Sequence, residues 1–362
     1  MLQEEATYNQ YLFCLIFYLL IIVIAWKWKL NEKPKTLTWI LALLFCLFSY
    51  FNSDYFHYEE DLMQLDQSYK DFFYYYIAEI SGRVYWLFRL IIWGSALLLF
   101  YFTSNRLGLH KNLSIFVFSV FFLPTFCYAR ASLAMALYFD GLSFLVSPKP
   151  NHKIFSFIIG LLFILSSFLG HRSFLVIIAL TPVIFIRFRK WHMIVLILAF
   201  PFILEIIKGL LTQMMGGTIL SGEGFESFSE SATRYSELNR VDRNWKYQLI
   251  TNLKYVGFYI PFIVILLKTK FNRQLITSAM SKYISITLAI FIIATSFLLI
   301  TDVGATDILA YRFLFMTGIP ITLILCFLIQ EDKLSFKEAY VSMFIIFMST
   351  ILFIVGKLYT LS

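Results

Sequence analysis

The sequence predicts an all-α polytopic membrane protein, and three observations predict it. Of its 362 residues, 60% are hydrophobic and only 14% are charged, against roughly 45–50% apolar in a soluble domain. Its mean hydropathy is +0.76. Runs such as Tyr11–Ala25 and Leu90–Phe102 carry no charge at all. A helix needs about 20 mostly apolar residues to cross a bilayer core. Apolar runs read against their breaks give about twelve spans, near 9–27, 37–51, 84–102, 113–128, 132–147, 154–170, 173–187, 193–208, 249–267, 283–300, 308–329 and 340–356. The whole chain, 1–362, reads as one transmembrane helical domain.

The chain starts with "MLQEEATYNQY". A cleaved signal peptide starts with positive charge, so this acidic start marks the first apolar run as a retained span. The loops then sort by charge. "KWKLNEKPK", "NRLGLHKN", "SPKPNHK", "RFRKWH", "KTKFNRQLITSAMSK" and "QEDKLSFKE" are rich in Lys and Arg, and the positive-inside rule places them in the cytoplasm. The alternate set holds the acidic N-terminus, segment 52–82, the turns at Arg130 and at His171–Arg172, the long loop 209–248, and "TDVGATD". These face outward, as do both chain ends. The net charge of +8 is thus a matter of topology and does not point to nucleic acid. Cys14, Cys46, Cys127 and Cys326 lie in or beside apolar runs without metal-ligand spacing, as small buried hydrophobes do.

Between the second and third spans, apolar positions Leu62, Leu65, Tyr69, Phe72, Phe73, Tyr76, Ile77 and Ile80 recur at helical spacing. This predicts an amphipathic helix over 61–82 lying along the outer interface. Ahead of it, Asp54, His57, Tyr58, Glu59, Glu60 and Asp61 cluster. Crowded carboxylates raise one another's pKa, which suits a general base as well as a solvated acidic turn. Asp54 lies nearest the membrane. Loop 209–248 opens on Gly and Ser, then turns mixed in charge, and reads as a gate over an outer cavity.

The outward cations are the main functional signal. Arg130, Arg172 and Arg312 sit in short turns or at span ends, on the side that the positive-inside rule depletes. One such arginine suits snorkelling to headgroups. Three, with His171 beside them, suit a polyanionic ligand, because a guanidinium presents a fixed fork of donors to phosphate oxygens. The stretch "TDVGATDILAYRFLFMTGIP" adds Asp307 and Tyr311 next to Arg312. Asp307 and Arg312, five apart, form an imperfect pair on one helix. No P-loop, dinucleotide fingerprint, metal-ligand pattern or nucleophile elbow is present in the sequence.

The order "SDYFHY", "YARASLAMAL", "SSFLGHRSFLVIIAL" and "AYRFLFMTGIPI" resembles the EpsG-like, Wzy-type polysaccharide polymerases over roughly residues 50–330. Where such proteins often carry Arg-Gln, this chain carries Arg130–Ala131. The resemblance implies a glycosyltransferase of envelope polysaccharide assembly (O-antigen, capsule or exopolysaccharide). It would join polyprenyl-diphosphate-linked oligosaccharide repeat units at the outer face of a bacterial plasma membrane, with no cofactor and no metal. The lipid bilayer, a flippase and a chain-length regulator of the same pathway would be its partners. On this reading Arg130 and Arg312, with Arg172, hold the diphosphate. Asp54 or His171 takes the acceptor proton, and Tyr58, Tyr311 and Asp307 contact substrate. Two other readings stand beside it: a glycosyltransferase using polyprenyl monophosphate sugars, on Glu59–Glu60–Asp61, and a lipid-linked oligosaccharide flippase, on span number alone. A lipid-linked acyltransferase is a weaker third. Against a transporter, the two halves show no internal symmetry or paired broken helices.

Overall fold

Inside a bilayer a single chain segment satisfies its backbone polar groups by forming a helix. Every regular element among the described residues of the computed structural model is helical. Those residues are 6–50, 59, 62–63, 72–127, 129–147, 152–186, 199–200, 202–206, 209, 245–269, 277–300 and 306–361. The elements are α1 (Tyr8–Trp28), α2 (Thr36–Leu47), α3 (Phe72–Ile80), α4 (Tyr85–Arg106), α5 (Lys111–Phe121), α6 (Leu123–Phe126), α7 (Ala129–Val146), α8 (Lys153–Gly170), α9 (Phe174–Leu180), α10 (Trp245–Thr269), α11 (Ser278–Leu299), α12 (Thr306–Met316), α13 (Gly318–Gln330) and α14 (Phe336–Leu361). A 3-10 turn, Thr181–Phe185, extends α9.

Among these residues seven segments are long and apolar enough to cross a bilayer: Tyr8–Trp28, Tyr85–Arg106, Lys153–Gly170, Asn252–Thr269, Ser278–Leu299, Leu309–Gln330 and Phe336–Tyr359. Thr36–Leu47, Lys111–Phe121, Ala131–Val146 and Phe174–Phe185 are apolar but shorter. Each of these segments falls on a predicted span. The predicted span 193–208 lies largely outside the described residues.

Among the described residues, parts of four of the loops that are basic in sequence pair off at one end of the bundle. The Asn112 side chain accepts from the Lys35 backbone N–H at 2.8 Å and donates to the Asn31 and Lys33 carbonyls. Gln330 bonds His110 and Gly108, and Lys268 pairs with Glu338 at 2.5 Å. Partial burial holds the Lys29 ammonium below its ordinary pKa. We call this the basic end and its opposite the far end. Between them α13 is the central post. Its residues Gly318–Ile329 are all buried, as an all-round apolar helix should be.

Near the basic end a buried polar cluster joins α4 to α7. Arg106 Nη1 pairs with Asp140 Oδ1 at 2.7 Å, and Thr103 donates to the same oxygen at 2.8 Å. Arg106 also donates to Ser143 Oγ, and its guanidinium lies 3.4 Å from the centre of the Phe144 ring. A charge removed from water is tolerated when it is paired and its remaining donors are satisfied.

The span predicted at 308–329 is found as the apolar segment Leu309–Gln330; inside it α12 and α13 meet at Thr317, where Gly318 lies against the Phe122 ring so closely that no side chain fits. The sequence reading needs two corrections. Arg130 is not in an interhelical turn but in the first turn of α7. Loop 209–248 ends sooner than predicted, since α10 starts at Trp245. The rest of that loop lies outside the described residues. Of the predicted amphipathic helix 61–82, residues 62–63 and 72–82 are described, the latter holding α3. There, Tyr74 and Ala78 face the protein and Phe72, Tyr76 and Ile80 are exposed. Tyr74 is buried because it packs edge-on against Phe88, 4.7 Å away. Of the predicted apolar positions, Phe72, Tyr76 and Ile80 are exposed, Phe73 and Ile77 are half-buried and Leu62 is buried.

The helices α7 and α8 approach backbone to backbone. A Cβ on Gly141 would sit 2.7 Å from the Gly160 carbonyl oxygen and 2.9 Å from the Ile164 nitrogen. Small residues permit such backbone approach between membrane helices, where packing replaces the hydrophobic drive. Gly94 in α4 has nothing within 4 Å of a built Cβ. Gly141→Ala should therefore destabilise by roughly 1–3 kcal/mol through overpacking, whereas Gly94→Ala should be neutral or gain up to about 1 kcal/mol of helix propensity. Thermal unfolding of both variants in detergent, followed by size-exclusion of the surviving fraction, checks the contrast.

Candidate site at the arginine-bearing turns

The far end is organised around the junction between α6 and α7. α6 stops at Phe126, and only Cys127 and Tyr128 precede α7. The Phe126 carbonyl accepts from Trp93 Nε1 at 3.1 Å and from the Ser132 hydroxyl. This ties α4 and the start of α7 to one atom and fixes where α7 begins. Arg130 sits in that first turn, at the positive end of the α7 dipole. Its side chain lies outside the described residues.

Close packing brings the second cationic turn to the same place. Gly170 ends α8, and a Cβ there would lie 3.1 Å from Ala134 Cβ and 3.3 Å from Ala134 Cα. Ala134 is one helical turn from Arg130. His171 caps α8 in extended geometry and Arg172 follows it, both half-buried. His171 Nδ1 accepts the Ser173 backbone N–H at 3.2 Å and lies 2.6 Å from the Ser173 hydroxyl. An Nδ1 that accepts an amide N–H assigns the proton of the neutral ring to Nε2.

The third cationic segment approaches through aromatic rings. Phe315 in α12 packs 5.2 Å from Phe122, which lies 5.7 Å from Phe126. Arg312 stands one turn before Phe315, half-buried. Beside it Tyr311 lies 5.9 Å from Tyr255 of α10. Thus the structure brings the turns bearing Arg130, His171–Arg172 and Tyr311–Arg312 to one end of the bundle, opposite the basic loops. Asp307 is in the first turn of α12, and its side chain is outside the described residues. So are Asp54 and Tyr58 entirely.

One further far-end cation escaped the sequence reading. Arg89, in the first turns of α4, is buried. Its guanidinium donates to Tyr85 Oη at 2.8 Å, the Cys46 carbonyl at 2.5 Å and Ser49 Oγ at 2.8 Å. It also lies 4.5 Å from the centre of the Trp93 ring. Arg89 therefore binds the end of α2 to α4, and Trp93 passes that constraint on to the α6–α7 junction. The signal was present in sequence: an arginine between "YWLF" and "LIIW", inside a run that needs no charge.

Compared with known protein families, residues 35–360 match the EpsG family. No curated protein and no solved structure matches the chain.

The Arg89 contacts set a measurable cost. Arg89→Ala leaves the Cys46 carbonyl, Ser49 and Tyr85 without this donor, at about 1–3 kcal/mol for each buried group so stranded. The expected loss is about 3 kcal/mol or more, and Arg89→Lys should recover only part, because one ammonium cannot reproduce the fork. Thermal unfolding of the two variants against the parent checks both the size and the order.

Proposed function

The chain belongs to the EpsG family, a Wzy-like polymerase family, and from that premise we propose that it joins polyprenyl-diphosphate-linked oligosaccharide repeat units at the outer face of a bacterial plasma membrane. One observation carries this reading: three arginine-bearing turns converge at the end of the bundle opposite the basic loops. The positive-inside rule assigns the basic end to the cytoplasm, which makes the far end the outward one. Guanidinium groups collected there suit a lipid diphosphate held at the headgroup level.

In the proposed reaction the hydroxyl oxygen of an incoming unit forms a bond to the anomeric carbon of the growing chain. The bond from that carbon to the diphosphate oxygen breaks, and its electron pair leaves with the polyprenyl diphosphate. Arg130 and Arg312, with Arg172, stabilise the charge that grows on the leaving group. The hydroxyl proton goes to a base. His171 suits a different task, because the lone pair of its neutral ring is taken up at Nδ1 by Ser173. Its Nε2–H suits donation to an oxygen of the substrate, which leaves Asp54 as the proton acceptor. Tyr58, Tyr311 and Asp307 are assigned to sugar contact, aromatic faces serving as stacking surfaces. The activated glycosyl–diphosphate bond supplies the driving force.

Two substitutions test the roles. Arg130→Ala should insert normally and abolish ladder formation when purified protein is mixed with lipid-linked repeat units. Normal-length polymer from that variant removes the assignment. His171→Gln retains an N–H donor, so as a donor site it should keep activity within about tenfold. Loss of a general base costs about a hundredfold or more in either His171→Gln or His171→Ala. Initial rates of ladder formation separate the two roles.

A further inference from the structure

A groove runs between α7 and α8, away from the arginine-bearing turns. Its described lining is Phe144, Leu145, Lys153, Ile154 and Phe157, and its volume is about 340 Å³, inside the range of roughly 300–1,000 Å³ that small-ligand sites occupy. Contacts place it at the basic end. The centre of the Phe144 ring lies 3.4 Å from the Arg106 guanidinium. The Ser147 hydroxyl, just beyond α7, donates to the Arg106 carbonyl at 3.5 Å. Two residues after Arg106, the Gly108 carbonyl accepts from Gln330.

The inner part of the groove is held firmly, and its outer wall is open. Phe144 packs on Arg106 and also stacks on Phe163 at 6.0 Å, with 19° between the ring planes. Leu145 takes part in the approach of the two helices, since its Cδ2 lies 2.8 Å from where a Cβ on Gly160 would be. Ile154 is 78% exposed and Phe157 51%. Charge in this region has one sign. No Asp or Glu occurs between Asp140 and Glu205, and Asp140 is buried and paired with Arg106. Lys153 is exposed and has no ion-pair partner among the described residues. The groove is thus apolar along its length, with an uncompensated cation in its lining.

We propose that this groove seats an anionic phospholipid of the leaflet at the basic end, with an acyl chain along Phe144, Leu145, Ile154 and Phe157 and the headgroup phosphate on Lys153. Lipid tails are as apolar as these side chains, so any phospholipid could fill the groove, and the cation decides which one stays. The positive-inside rule assigns this end to the cytoplasm. The cytoplasmic leaflet carries the anionic lipids, and basic pockets between spanning helices on that side take their headgroups. A lipid held here braces α7 against α8 through Leu145. The proposal is independent of the polymerase reading.

The test uses the full-length protein in dodecyl maltoside, titrated with dioleoyl phosphatidylglycerol or dioleoyl phosphatidylcholine, with lipid adducts counted by native mass spectrometry. The first phosphatidylglycerol should bind the parent about fivefold or more tighter than the first phosphatidylcholine, the size expected of one lysine beside an anionic headgroup. Lys153→Gln should remove that preference, and Lys153→Arg should keep it, because either cation supplies the charge. Phe157→Ala, at an exposed position, should weaken phosphatidylglycerol binding about threefold or more while leaving the melting temperature of the lipid-free protein unchanged. Lys337→Gln, at an exposed lysine of the same end on α14, should leave the preference as in the parent. Equal affinity of the parent for the two lipids overturns the proposal, and so does phosphatidylglycerol affinity unchanged in Phe157→Ala. A preference that survives Lys153→Gln, or falls as far in Lys337→Gln, overturns it too, because the charge of the whole end and not this groove then selects the lipid.

Discussion

The contact on which the arrangement depends is the backbone approach of α7 and α8 at Gly141 and Gly160. Apolar helices in lipid gain little by hiding apolar surface, so close packing must hold them. With these two glycines in contact, Gly170 meets Ala134 at the far end. The turn after α8 is thereby set against the first turns of α7. The Arg106–Asp140 cluster fixes the same helix from α4 near the basic end. α7 is thus held at its basic end by charge, along its length by contact, and at its far end by the hydrogen bonds to the Phe126 carbonyl.

This arrangement explains why the far end accepts several cations. Positive groups gathered in a low-dielectric setting repel one another unless each is held and an anion joins them. Arg89 is held by a carbonyl, two hydroxyls and two rings. The turns bearing Arg130 and His171–Arg172 are held by their helices. If these turns form the proposed site, it is set before a ligand arrives, which is the condition for stabilising charge in a transition state.

Much of the fold could be read from the sequence because bilayer thickness and backbone satisfaction leave few choices. Apolar run length located the seven long apolar helices among the described residues, and the alternation of Lys- and Arg-rich loops foretold the meeting of those that are described. Asn112, Gln330 and the Lys268–Glu338 pair show that meeting. What escaped had no periodic signal. Thr317 interrupts the run between α12 and α13, where Gly318 lies against Phe122, a residue nearly two hundred positions away. Likewise α3 buries Tyr74 and Ala78 because Phe88 lies there, although apolar residues are present on both faces of its sequence. In the candidate site, Arg130, His171, Arg172 and Arg312 stood out as charges in places that topology depletes. Arg89 and Asp140 also stand as charges within apolar runs, but their meaning depends on partners from other helices.

The account's central claim is that the far-end turns hold a lipid diphosphate. Photo-crosslinking with an isoprenyl diphosphate carrying a diazirine on its first isoprene unit, followed by peptide mapping, tests it most directly. The account predicts adducts on the α6–α7 junction, the Gly170–Ser173 turn and α12. Adducts confined to the basic end, around Asn112 and Gln330, would contradict it.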